Sequence, residues 1–335
     1  MITDFIQKMI DRVDLTEEEA RAAMEEIMSG ETTDAQIAGF LMALRMKGEA
    51  AQELVGFARV MREKAEPLWD GEVLPVLDTC GTGGDRSGTF NISTAAAFIV
   101  AAAGVRVAKH GNRSASSRCG SADVMEALGL DIQMPIDRLR QAIRDVGIGF
   151  LFAQRFHKSM KHVMPARTQL KVRTVFNILG PLANPANARF QVVGVSSPEI
   201  MELMANALAG LNIDHAFVVH GANGMDEISI SSRTYVVEVR RGDIRQFVMT
   251  PEDFGITPAK IDAILGGDAA ENAKIIESVF RGERGPRRDV VLLNAAPALV
   301  AGGVAKTWKE GLQLAAEAID NGSAIKKLRQ LKEFL

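Results

Sequence analysis

"VLDTCGTGGDRSGTFNISTAAAFIVAAAGVRVAKHG", residues 76–111, runs from a short apolar stretch through a loop holding four glycines into an alanine-rich segment, then into a second β-rich stretch. The end stretches have strand length and the middle is long enough for a helix of about three turns, so the order reads strand, loop, helix, strand. Strands joined through a helix pair in parallel. The alternation continues in "GIGFLF" (147–152), "QVVGVSS" (191–197) and "HAFVVHG" (215–221), separated by helical stretches such as "SPEIMELMANALAG" (197–210). "RTYVVEVRRGDIRQFVM" (233–249) differs: two strand-like runs turn at "RGD", an antiparallel hairpin at one sheet edge. The expected fold is an α/β domain with a mostly parallel central sheet flanked by helices.

The residues before this region read as helices. "TEEEARAAMEEIMSG" opens on a capping box, Thr16 with Glu19, and stops at Gly30. The next helix carries Ile37, Phe40, Leu41 and Leu44 on one stripe and stops at Gly48. So small a helical segment cannot bury its own stripes, which predicts cover from the main domain or, preferentially, from a second subunit.

Composition narrows the class. The 335 residues are 47% hydrophobic and 24% charged with a net charge of -3, so no broad basic field exists to bind a polyanion such as nucleic acid. No apolar run reaches the roughly 18 residues of a membrane span, and "MITDFIQKMI" lacks the features of a secretory leader. Cys80 and Cys119 have no zinc spacing and fit a reducing compartment. The expectation is a cytoplasmic protein with no membrane and no nucleic-acid partner.

Glycines after a strand let backbone N–H groups approach a ligand, and the helix start that follows favours negative charge. The loop is therefore a phosphate-cradle candidate, a tight turn made only for packing being the alternative. It matches neither common cradle: Arg86 stands where a dinucleotide fingerprint starting at Gly81 needs its third glycine, and Thr89 stands where a nucleotide loop spanning Gly83 to Gly88 needs lysine. The second strand ends in "KHGNRSASSRCGSAD" (109–123), dense in donors, and both loops should meet at the carboxyl ends of their strands. After "HAFVVHG" come adjacent carboxylates, Asp226 and Glu227, a pairing that can hold Mg²⁺ bridging to phosphate oxygens.

The order of "GTGGD", "NIST", "KHGNRSASS", "GSAD", "HKSMKHVMPAR", "RTVFNILGPLANPA" and "DE" resembles the anthranilate phosphoribosyltransferase family of the tryptophan pathway, over nearly the whole chain. The resemblance implies an α-helical domain over residues 1–70, completed by helices near 165–185, and an α/β phosphoribosyl diphosphate-binding domain over 71–335. It also implies a homodimer formed through the helical domain, and the reaction in which the phosphoribosyl group passes from phosphoribosyl diphosphate to the amine of anthranilate. By the same resemblance, Gly81, Gly84, Asp85, Thr89, Asn91, Ile92, Ser93 and Thr94 hold phosphoribosyl diphosphate. Lys109, His110, Gly111, Asn112, Arg113, Ser114, Ala115, Ser116, Ser117 and Ser121 close over it. Ser93, Asp226 and Glu227 hold Mg²⁺, while Gly81, Asn112, His157 and Arg167 meet anthranilate, with Arg167 on its carboxylate and His110 beside the same tunnel. Lys158 departs from the small residue or proline expected there.

Displacement of a charged diphosphate from the sugar needs charge stabilisation more than a strong base. His110 is the one candidate base, a hydrogen-bonded loop histidine being its alternative reading. Two other activities fit the same architecture: a nucleoside phosphorylase, which has less need of the Asp226–Glu227 pair, and a nucleic-acid-binding relative, which the net charge opposes.

Overall fold

The computed structural model describes residues 1–114 and 118–334. Four helices open the chain: α1 (Ile2–Ile10), α2 (Glu17–Ser29), α3 (Asp34–Lys47) and α4 (Ala51–Glu63). The expected capping box starts α2, with the Glu19 amide donating to Thr16 Oγ1 at 3.2 Å and the Thr16 amide to Glu19 Oε2 at 3.0 Å. Gly30, at φ 79°, closes it in the left-handed region that glycine enters without steric cost. Thr33 and Gln36 repeat the box on α3.

The α/β part then follows as β1 (Leu77–Thr79), α5 (Ile92–Ala102), β2 (Val107–Gly111), α6 (Ser121–Ala127), α7 (Ile136–Asp145) and β3 (Ile148–Phe152). After α8 (Ala153–Phe156) and α9 (Met164–Leu170) come β4 (Phe190–Gly194), α10 (Met201–Gly210), β5 (His215–Gly221), β6 (Thr234–Arg240) and β7 (Asp243–Met249). Four helices finish the described chain: α11 (Ala269–Phe280), α12 (Pro286–Ala301), α13 (Trp308–Asp320) and α14 (Ser323–Glu333).

The strands form one sheet in the order β3-β2-β1-β4-β5-β6-β7. The first five run parallel and the last two antiparallel, as the hairpin pattern predicts. Arg241 and Gly242 turn that hairpin at φ 50° and 91°, the double positive φ that suits right-handed strand twist.

Alternation along the central strands separates two cores. Val192, Phe217, Val219 and Val236 face one cluster with α5 and helices of the C-terminal third. Val193, Ala216, Val218, Val237 and Val239 face the other, which runs through α10 into the N-terminal helices and residues 163–183.

That second core corrects one expectation. Ile37, Phe40, Leu41 and Leu44 are each at most 1% exposed within the single chain, covered by α1, α9 and the segment around Val175. The stripe looked exposed because part of its cover comes from more than a hundred residues further along the chain. Among the described residues no helix is long and apolar enough to cross a membrane.

Candidate active site

The chain leaves β1 toward β2 on one side and leaves β4 toward β5 on the other, so the sheet's switch point lies between β1 and β4. A crevice opens at the carboxyl ends of such a pair. The segment after β1 keeps following β4: the Cys80 amide donates to the Val192 carbonyl at 3.2 Å and the Thr82 amide to the Gly194 carbonyl at 2.8 Å. Only then does the chain turn, through Gly83 and Gly84 at φ 64° and 83°. A Cβ on Gly194 would overlap the carbonyl of Asp226, which brings the loop after β5 against the end of β4.

The two carboxylates of that loop point into the crevice. Asp226 Oδ2 accepts from the Gly83 amide at 2.8 Å, and Glu227 Oε1 accepts from the Ser93 amide at 3.2 Å, in the first turn of α5. Asp85 closes the group, accepting from the Asp226 amide at 3.4 Å. Asn294 on α12 grips the next residue, accepting from the Ile228 amide at 2.8 Å and donating to its carbonyl at 3.0 Å. Thr79, Gly81, Ser93, Gly194, Asp226 and Glu227 line a cavity of about 10 Å³, room for one guest the size of a water or a small ion.

Enclosure raises the pKa of both carboxyls above the ordinary range; repulsion from Asp85 adds to it at Asp226, and repulsion from Asp226 adds to it at Glu227. A set of oxygen donors carrying more negative charge than its surroundings neutralise suits a hard divalent cation. Lys109 supplies part of the compensation. Its buried ammonium donates to the Thr79 carbonyl and lies 3.5 Å from Ser93 Oγ.

A tighter group, Asp78, Cys80 and His110, has its ligand atoms within 4.8 Å of one another, yet its donors are engaged elsewhere. Asp78 accepts from the His110 amide at 3.0 Å and from Asn184 Nδ2 at 2.8 Å. Burial pushes the Cys80 thiol far up, so it stays protonated, and His110 Nδ1 faces the Gly180 carbonyl at 3.1 Å. This trio braces the strand ends.

Gly81, Ser93, Asp226 and Glu227 thus share one cavity with Lys109 beside it, and Gly84 and Asp85 stand on the same loop. Ile92 and Thr94 are buried on α5, while Asn91 bonds the Cys119 carbonyl and Asn272. Thr89 bridges to Leu265 and Gly111 packs against Ser121 and Phe150. Asn112 is exposed and takes Gln154 Nε2 at 3.3 Å, and its carbonyl accepts from Ser121 Oγ at 3.3 Å. Arg113 pairs with Asp123 at 2.9 Å and Glu126 at 2.6 Å, and the Ser114 amide also reaches Asp123. Ala115, Ser116 and Ser117 lie outside the described residues.

The rings of His110 and His157 stand 5.3 Å apart. Burial lowers their pKa values to about 3 and about 4, so both rings are neutral at physiological pH. His110 Nε2 has no hydrogen-bond partner among the described residues. Arg167, on α9, stacks 5.4 Å from the Phe176 ring, its pKa lowered by burial, and none of the ion pairs among the described residues includes it. Lys158 turns outward to Glu66 at 2.6 Å. Sequence reading passed over Asn184 and Asn294, which hold the loops from afar, and Arg173, whose Nη2 donates to the Gly83 carbonyl at 3.1 Å. The signal for Asn184 and Arg173 was the segment "RTVFNILGPLANPA", noticed without a chemical role.

Comparison with known proteins matches residues 3–65 to the helical bundle domain of the glycosyl transferase family and residues 74–325 to its a/b domain. Anthranilate phosphoribosyltransferase of Pelotomaculum thermopropionicum is 53% identical over 335 residues, covering 100% of this chain and 96% of the relative. The crystal structure of the Thermus thermophilus enzyme of that name superposes with a TM-score of 0.93 at 46% identity, over 99% of both chains. The Saccharomyces cerevisiae enzyme in complex with PRPP and Mg has a TM-score of 0.91 at 27% identity, over 99% of this chain and 97% of its own. The chain belongs to the anthranilate phosphoribosyltransferase family.

Proposed function

We propose that this chain transfers the 5-phosphoribosyl group of phosphoribosyl diphosphate to the amine of anthranilate, giving N-(5-phosphoribosyl)anthranilate and diphosphate in tryptophan biosynthesis. The observation that carries this reading is the oxygen-lined cavity at the β1/β4 switch point, walled by Asp226, Glu227 and Ser93. Those three residues hold Mg²⁺, for which their donor chemistry fits. Once bound, the ion neutralises charge on the departing diphosphate oxygens.

Gly81, Gly84 and Asp85 carry the loop on which phosphoribosyl diphosphate lies, with residues 91–94 at the start of α5 and Lys109 to Ser121 around it. Lys109 adds a fixed positive charge beside Ser93, and the exposed turn at Gly83 and Gly84 lets the backbone approach the ligand closely. The C1–O bond to diphosphate breaks as the amine nitrogen bonds C1, and the amine then sheds a proton. Arg167 takes the anthranilate carboxylate on its planar fork, with Gly81, Asn112 and His157 positioning the ring. His110, held neutral with Nε2 unpartnered, orients the acceptor and is too weakly basic to serve as a strong base.

We divide the chain at residues 70 and 71, with residues near 165–185 completing the helical domain; the packing of Val163 to Ala183 in the same core as the N-terminal helices supports assigning that segment to them. The enzyme acts as a homodimer through the helical domain. Ile10, Val13 and Met46 support this with exposures of 59%, 46% and 64%, Arg12 joining the two helix ends through the Met46 carbonyl at 2.8 Å. We assign it to the cytoplasm, where a substrate too charged to cross membranes is retained. Anthranilate fluorescence tests the reaction: it should fall when the protein, phosphoribosyl diphosphate and Mg²⁺ are mixed. Unchanged fluorescence, with melting raised only by oligonucleotides, would transfer the fold to a nucleic-acid role.

A further inference from the structure

We infer that Arg173 is a ligand for the leaving diphosphate, a role that rests on the transferase reading and adds a residue to it. Arg173 lies beyond α9, in the segment that runs back from Arg167 toward the glycine loop. Its Nη2 donates to the Gly83 carbonyl at 3.1 Å, and a Cβ on Gly84 would overlap its Nη1. The guanidinium thus rests on the loop, and Gly84 has to be glycine both for that contact and for its φ of 83°.

Gly83 is the hinge of the argument: its amide donates to Asp226 and its carbonyl accepts from Arg173. The cation therefore sits one residue from the carboxylate that faces the cavity. Arg173 is exposed, and none of the ion pairs among the described residues involves it. Among the described residues, one of its five N–H donors is engaged, by a neutral carbonyl. The adjacent Thr174 is buried at 4% exposure, so the segment is anchored directly behind the exposed guanidinium. A planar fork with free N–H groups beside a metal carboxylate suits the terminal oxygens of a diphosphate, which gain charge as the C1–O bond breaks.

The test uses the intact protein with Arg173→Ala and Arg173→Lys, and calorimetric titration with inorganic diphosphate and with ribose 5-phosphate, each with Mg²⁺. Arg173→Ala should weaken diphosphate roughly tenfold or more and leave ribose 5-phosphate within about twofold, and Arg173→Lys should recover part of the loss. Turnover should follow, with kcat/KM for phosphoribosyl diphosphate falling by a similar factor while the anthranilate KM stays unchanged. Unchanged diphosphate binding overturns the assignment. Equal loss for both probes, or a lowered melting midpoint, also overturns it, because Arg173 would then be a strut for the glycine loop. Wild-type fluorescence turnover in the same preparation separates failure of this assignment from failure of the transferase reading.

Discussion

The Gly83 amide holds Asp226 Oδ2 at 2.8 Å, and the same oxygen lies 2.8 Å from where a Cβ on Gly81 would stand. The glycine loop and the carboxylate loop are therefore fitted to each other before any ligand arrives. Gly81→Ala should push Asp226 off Gly83 without unfolding the chain. Displacing a catalytic group by about 1 Å costs on the order of a hundredfold in rate, so kcat/KM should fall by about that factor. Steady-state kinetics alongside a melting curve checks this: a fall in activity with an unchanged midpoint is expected.

The raised pKa values of Asp226 and Glu227 give stability a direction with pH. Asp78, pushed up to about 6 by burial, adds to it. The folded protein keeps protons on these carboxyls that the unfolded chain has already released, so their contribution to stability falls as pH rises through the raised values; His110 and His157, held neutral by burial, oppose this below about pH 6.5, so the net fall is read from there upward. Mg²⁺ competes with those protons and should raise the midpoint more at pH 8 than at pH 6. Thermal melting across pH, with and without Mg²⁺, should show this slope in the wild type and a shallower one in Asp226→Asn/Glu227→Gln.

Arg167→Ala should raise the anthranilate KM about tenfold or more, because a guanidinium free of acid partners is replaced by nothing that can read a carboxylate. Phosphoribosyl diphosphate should bind nearly as before. Initial rates with each substrate varied in turn distinguish this from a general loss.

Core and proposed interface separate on the N-terminal helices. Leu41 is 1% exposed, so Leu41→Ala should cost about 2–5 kcal/mol in denaturant unfolding. Met46→Glu and Ile10→Glu, at exposed positions, should leave the midpoint nearly unchanged and shift sedimentation from dimer to monomer. A dimer that persists in both would remove this face from the interface.

Much of this was legible in local pattern. Short apolar, β-rich runs located the strands, and the "RGD" turn located the hairpin, because turn chemistry and strand composition are properties of neighbouring residues. The cap at Thr16 and the stop at Gly30 were legible for the same reason. What covers the Leu41 stripe was not, since an amphipathic face records that it is covered and not by what. Asn184 and Asn294 were illegible too. Their partners, Asp78 and Ile228, lie 106 and 66 residues away, and only the sheet's topology brings them together. The adjacency of Asp226 and Glu227 was visible, but their enclosure by Asp85, Gly83 and Ser93 belongs to the switch point.

Asp226 and Glu227 acting through Mg²⁺ on the diphosphate is the claim on which the rest depends. Calorimetric titration of phosphoribosyl diphosphate into the wild type and Asp226→Asn/Glu227→Gln, across a range of Mg²⁺ concentrations, tests it directly. The wild type should bind at least about tenfold more tightly with Mg²⁺ than without it, a difference of roughly 1.4 kcal/mol, and the double variant should show almost no Mg²⁺ dependence. A double variant that keeps the wild-type Mg²⁺ dependence would contradict the account.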